Sequence, residues 1–187
     1  MKSAVVAALF AVAFAWPQDP PSPAVLQKAN AVAQTDAHHA RLQRLVGEWD
    51  VVLTTQLRGE SPREDRGSVR AAAILGGRYV VADYTLAIAP ATVHAVQIFG
   101  FDALRQLWTS SWRDDLSTWS VECSGPPALP EAGVLTLRGS LADAREPTGR
   151  PFRQVVDLSA EGVVAVRLYD THEGVEFELQ RQRWTKR

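Results

Sequence analysis

Between Trp49 and Trp184 the chain falls into about ten short runs of alternating apolar and polar residues, and no segment between them is patterned like a crossover helix. This feature constrains the fold most. Period-two alternation makes each run a strand with one buried face, and without crossover helices consecutive strands pair antiparallel. The runs are predicted at 48–57, 67–74, 78–88, 92–101, 107–114, 116–123, 133–141, 152–158, 162–170 and 174–184, with turn residues such as 75–77, 89–91 and 171–173 between them. A meander of this length either splits into two sheets or closes on itself, and closure removes the exposed edges. The prediction is an all-β chain, a single antiparallel up-and-down β-barrel of about ten strands. About eight strands are just filled by their own side chains, so about ten should leave a cavity.

Just before the first run, Leu42, Leu45 and Val46 fall at i, i+3 and i+4, one face of a helix. Asp36 is placed to cap its start and Gly47 to end it in a left-handed conformation. Trp49 is then the first inward residue, so the short N-terminal helix is expected to close one end of the barrel. At 187 residues with 46% hydrophobic content, the chain is long enough for one well-buried domain. That domain is assigned to 37–187. Upstream, Lys2, the apolar run Ala4 to Val12 and Ala13-Phe14-Ala15 have the order of a secretory signal peptide, 1–15, cleaved after Ala15. Residues 16–36 are read as a linker rich in proline at its start (Pro17, Pro20, Pro21, Pro23) with a possible helix over 24–34. The expected location is periplasmic or secreted, with no membrane attachment after cleavage.

Basic and acidic side chains number 20 and 21 and form no long block of one sign, so nucleic acid is not an expected partner. The single cysteine, Cys123, excludes an intramolecular disulfide and is read as a small packed hydrophobe rather than a nucleophile.

Where one parity of a run carries charges, the other faces inward. Arg113 outside places Trp108, Ser110, Trp112 and Asp114 inside; Arg153 and Asp157 outside place Phe152, Gln154, Val156 and Leu158 inside. Ser68 and Arg70 outside leave Gly67, Val69, Ala71 and Ala73 inside, small residues expected to widen the interior. In the third run the more apolar set, Val80, Ala82, Tyr84 and Leu86, is taken as inward. Glu176, Glu178 and Gln180 outside place Val175, Phe177, Leu179 and Arg181 inside, and Arg181 is expected to lie over Trp49 and close the barrel floor by a cation–π contact. The fourth run is not oriented by its pattern, and the sixth allows either Trp119, Val121 and Cys123 or Ser120 and Glu122 inside. The candidate ligand-binding residues are Tyr84, Trp112, Asp114 and Gln154, a mix of aromatic and polar groups suited to a small apolar or amphipathic molecule.

Signals for chemistry are sparse. His38 and His39 are adjacent, diverge by about 100° on a helix and cannot share an ion; they are read as solvated residues of the cap. His94 and His172 lie in different runs, so no metal site is assigned, and no cofactor is implied. Asp83, Asp114, Glu122 and His94 all lie in strands, which keeps open a small-molecule enzyme using Asp114 or Asp83 as acid or base. No phosphate loop, nucleophile elbow or zincin pattern is present, and no catalytic residue is assigned. A third reading is a structural or interaction domain with an outer face around Trp119.

Leu42-x-x-Leu45-x-Gly47-x-Trp49, Ile74-Leu75-Gly76-Gly77-Arg78-Tyr79, Gly100-Phe101-Asp102 and Trp112-x-Asp114, in that order, resemble the bacterial family of lipocalin-like barrels catalogued as domain of unknown function 1579. The resemblance spans roughly His38 to Lys186. It implies a calycin-type β-barrel and no agreed activity. Gly47-x-Trp49 is also similar to the Gly-x-Trp of lipocalins, whose tryptophan packs against a late-strand arginine, a role the resemblance would give to Arg181 or Arg183. The lipocalin Thr-Asp-Tyr motif is not matched: Ala82-Asp83-Tyr84 lies early and mid-strand, so retinoid-like carriage is not implied.

Overall fold

The computed structural model describes residues 22–127 and 133–187; the expected signal peptide lies outside them. The described residues before Val32 form a unit separate from Val32–Arg187. In the first unit, helix α1 (Pro23–Val32) supplies the helix expected after the proline-rich stretch, and none of its residues is buried.

The second unit is a closed antiparallel barrel of ten strands: β1 (Gly47–Thr55), β2 (Arg63–Ile74), β3 (Tyr79–Ile88), β4 (Ala91–Asp102), β5 (Leu107–Asp114), β6 (Val121–Gly125), β7 (Val134–Leu141), β8 (Arg150–Asp157), β9 (Val163–His172) and β10 (Val175–Lys186). Each strand pairs with its neighbours in sequence, and β10 closes on β1 with Trp49 opposite Lys186 and Leu53 opposite Gln182. The all-β barrel expected from alternation is the fold. The sixth strand starts five residues later than the pattern suggests, because 115–120 is irregular and leaves Leu116 and Trp119 exposed.

Helix α2 (Ala37–Leu42) runs into a 3₁₀ turn, Gln43–Leu45. Asp36 caps it: its side chain accepts from the backbone N–H groups of His38 and His39, and His39 Nδ1 reaches back to within 3.1 Å of the Asp36 backbone nitrogen. Val46, not Gly47, is the residue after the last turn; Gly47 opens β1 at φ +144°, a backbone conformation that favours glycine. Leu42 and Leu45 are buried in the barrel core. The indole N–H of Trp49 donates to the Leu45 carbonyl at 2.8 Å, satisfying one of the acceptors a helix end leaves open. This end of the barrel is filled by aromatic and branched side chains, with Trp49 6.2 Å from Trp184 between ring centroids and Phe101 5.0 Å from Trp108.

His38 and His39 are packed, not solvated. His38 stacks on Phe101 at 3.9 Å with nearly parallel rings, His39 is 5% exposed, and both rings bond to the Asp36 carboxylate. The divergence that denies them a shared ion lets them grip one carboxylate. Burial raises the Asp36 pKa, but bonds from the His39 and His38 rings and backbone outweigh it and bring the group down to about 2.

Strand parity agrees with the charge-based reading in β5 and β8 and with the choice of the more apolar set in β3. In β2, by contrast, Gly67 does not widen the interior: a Cβ there would lie 2.3 Å from the Thr85 carbonyl, so the glycine permits close strand approach. In β10 the alternation breaks. Glu178 pairs with Tyr169 and Gln180 with Leu168, leaving Leu179 as a bulge. Val175 and Phe177 keep the inward parity, but beyond the bulge Gln180, Gln182 and Trp184 take it over. Arg181 and Arg183 therefore face outward, and Arg181 pairs with Glu178 at 2.8 Å instead of covering Trp49. Lys186 has that position, its Nζ 5.7 Å from the Trp49 ring.

Candidate functional site

Above the aromatic floor the inward side chains become polar. Tyr84 on β3 donates its hydroxyl to Gln97 Oε1 on β4 at 2.7 Å, and Gln97 Nε2 donates to Ser110 Oγ on β5 at 2.7 Å. The three residues form a diagonal across neighbouring strands. Across the barrel, the Trp184 indole N–H donates to Gln182 Oε1 at 3.1 Å, and Gln182 Nε2 donates to Gln180 Oε1 at 2.9 Å. These chains let buried polar groups sit in the core, because each satisfies the next.

Between them lies a cavity of about 70 Å³. Gln97, Ser110, Gln154 and Gln182 form its polar side. Trp112, Val121, Cys123, Phe152 and Leu168 form the rest. Gln154 is 3% exposed, yet its amide has no hydrogen-bond partner among the described residues and faces this cavity. Burial, helped by the nearby Glu122 charge, pushes the Cys123 thiol up to about 11, so it lines the wall as a neutral group.

One step nearer the mouth on β8 and β9, Arg150 makes a bidentate pair with Asp170, Nε to Oδ1 and Nη2 to Oδ2 both at 2.7 Å, and its Nη1 donates to Asp143 at 2.8 Å. Asp170 is 4% exposed, so the guanidinium and the additional bond from the Thr171 N–H are what make its burial tolerable. Asp65, on the inner face of β2, is held by Arg63 at 2.9 Å. The mouth is thus ringed by carboxylates and their arginines.

Of the four residues expected to bind a ligand, Trp112 and Gln154 line the cavity. Tyr84 stands behind the wall, fully buried, bonded to Gln97 and edge-on to Trp112 at 4.9 Å. Asp114 sits at the mouth, where its carboxylate accepts from the Trp112 indole at 2.8 Å and the Leu116 N–H at 3.1 Å. Asp83 and His94 are exposed on the outer wall. The pattern missed Gln97 because β4 carries apolar residues on both faces, and Gln182 because the bulge inverts β10. Among the described residues no three His, Cys, Asp or Glu side chains converge as a metal site requires.

The fold is similar to the crystal structure of Rv2717c from M. tuberculosis: TM-score 0.60 at 11% identity, covering 82% of this chain and 99% of that one. At that identity the likeness concerns the fold alone. No curated protein matches the sequence at a significant level. Residues 34–184, most of the barrel unit and the whole of the cavity lining, match the family described as "Protein of unknown function (DUF1579)", and the chain belongs to that family.

Proposed function

We propose that this barrel binds a small, partly apolar molecule in its mid-barrel cavity. The observation that carries the reading is Gln154, a buried amide facing open space without a protein partner. An amide left unpaired costs about 1–3 kcal/mol, so the site favours an occupant that bonds to it. The volume sets the size. About 70 Å³ is room for about four or five water-sized groups and far below the range of drug-sized sites. The occupant is therefore a compact molecule of about four or five non-hydrogen atoms. At a ceiling of about −1.5 kcal/mol per atom, its dissociation constant is no better than roughly 10 μM. Export to the periplasm or beyond, proposed from residues 1–15, would place such a binder among molecules diffusing outside the cytoplasm.

A ligand this weak is lost on purification, so the test is titration of isotopically labelled protein with compact organic compounds at tens of millimolar. Saturable shifts at the Trp112 indole and the Gln154 amide are expected. If no compound moves any cavity-lining signal, the cavity is hydrated filler and the reading fails. An acid–base enzyme draws no comparable support: the Asp114 carboxylate is committed to two structural hydrogen bonds, and Asp83 faces outward.

A further inference from the structure

We infer that the cavity selects a neutral oxygen acceptor, a carbonyl or sulfoxide, and this rests on the binding role proposed above. On the Gln182 side the direction of its hydrogen bonds is fixed from outside. The Trp184 indole can only donate, so it holds the Gln182 oxygen and leaves the amide nitrogen turned the other way. Tyr84, whose hydroxyl could serve either way, here donates to the Gln97 oxygen, and the Gln97 nitrogen donates to Ser110. In each chain an amide oxygen is engaged by the wall, and hydrogens are left over, one each on Gln97, Ser110 and Gln182; Gln154 adds two hydrogens and one unengaged oxygen, so five hydrogens stand against one free acceptor. A carbonyl oxygen with one bond made is close to satisfied, whereas an N–H with none is orphaned. The surplus is therefore of donors.

Water answers this poorly. It accepts from the amides but brings hydrogens of its own, which would face Trp112, Phe152 and Leu168. A ketone, aldehyde or sulfoxide accepts two bonds at one oxygen and turns methyl groups to that apolar wall. An anion is disfavoured: Arg150 near the cavity is already committed to Asp170 and Asp143, and Asp65, Asp114 and Asp170 line the inner face of the mouth. A cation or a donor-only molecule would find a single unengaged oxygen, that of Gln154, among unpaired N–H groups.

The probes are acetone and dimethyl sulfoxide as acceptors, cyclopropane as an apolar gas of similar size, and methylammonium as a donor. Each is titrated into the protein while the side-chain amide signals of Gln97, Gln154 and Gln182 are followed. Acetone and dimethyl sulfoxide are expected to bind at least about tenfold more tightly than cyclopropane or methylammonium, with Gln154→Met reducing that preference to near parity without loss of the fold. Entry of cyclopropane with no preference for acceptors overturns this inference and leaves the binding role intact. Tighter binding of methylammonium overturns it too. Exclusion of every probe overturns both.

Discussion

Replacing Trp49 by Phe removes two things at once. The indole N–H is the partner of the Leu45 carbonyl, which lies at the end of the 3₁₀ turn under a fully buried residue. Leaving that carbonyl unpaired costs about 1–3 kcal/mol. The smaller ring also leaves a void against Trp184, where residual cavity costs ~24 cal/mol per Å3, or about 1 kcal/mol for the lost part of the indole. The expected destabilisation is about 3 kcal/mol, a fall in Tm of roughly 6–12 °C for a domain of this size. Arg181→Ala removes an exposed pair with Glu178 and should change stability by less than about 0.5 kcal/mol. The assay is urea unfolding of both variants followed by tryptophan fluorescence, with thermal melts alongside. Equal losses in the two variants would refute the reasoning, because they would mean that Arg181 reaches the floor and that the bulge at Leu179 is misplaced.

Three further outcomes follow from the same packing. Cys123, neutral and buried, should react with a thiol reagent at pH 8 only at the rate of unfolding; immediate labelling of native protein would contradict its placement in the wall. Asp36, with its carboxyl held at about 2 against an ordinary 3.8, contributes stability that is complete above about pH 4 and lost as pH falls towards 2; an Asp36→Ala variant should be weaker by about 1 kcal/mol at pH 7 and show a flatter dependence below pH 4, and parallel curves would count against the cap. Gly139 faces Cys123 across β6 and β7, and a Cβ there would lie 2.1 Å from the Glu122 carbonyl, so Gly139→Ala should cost about 1–3 kcal/mol in urea unfolding; a neutral result would show that β6 and β7 can part.

The barrel was legible because its strands are separated by turns and because charges mark the outer face of β5 and β8, at Arg113, Arg153 and Asp157. Those residues bring Trp112 and Gln154 to the interior without knowledge of the structure. β4 was not legible for a physical reason: its outward residues include Val96 and Ile98, while Gln97 goes inward because Tyr84 and Ser110 satisfy its amide. Solvent preference decides parity only where the buried polar group has no partner waiting. The histidines misled similarly, since a charged-type pair near a helix start reads as solvated, and only the fold brings Phe101 beneath His38.

The bulge at Leu179 makes the last strand two half-strands in opposite phase. Upstream of it, Val175 and Phe177 serve the mouth; downstream, Gln182 and Trp184 serve the cavity and the floor. Flattening the bulge with Leu179 kept in the ladder would rotate the downstream half by one position, sending Arg181 and Arg183 into the core and the indole of Trp184 into solvent, whereas deleting Leu179 would make the strand regular and leave Gln182 and Trp184 facing inward. The last strand therefore carries one residue more than its ladder needs, and Leu179 is the place where a single deletion leaves both halves facing as they do.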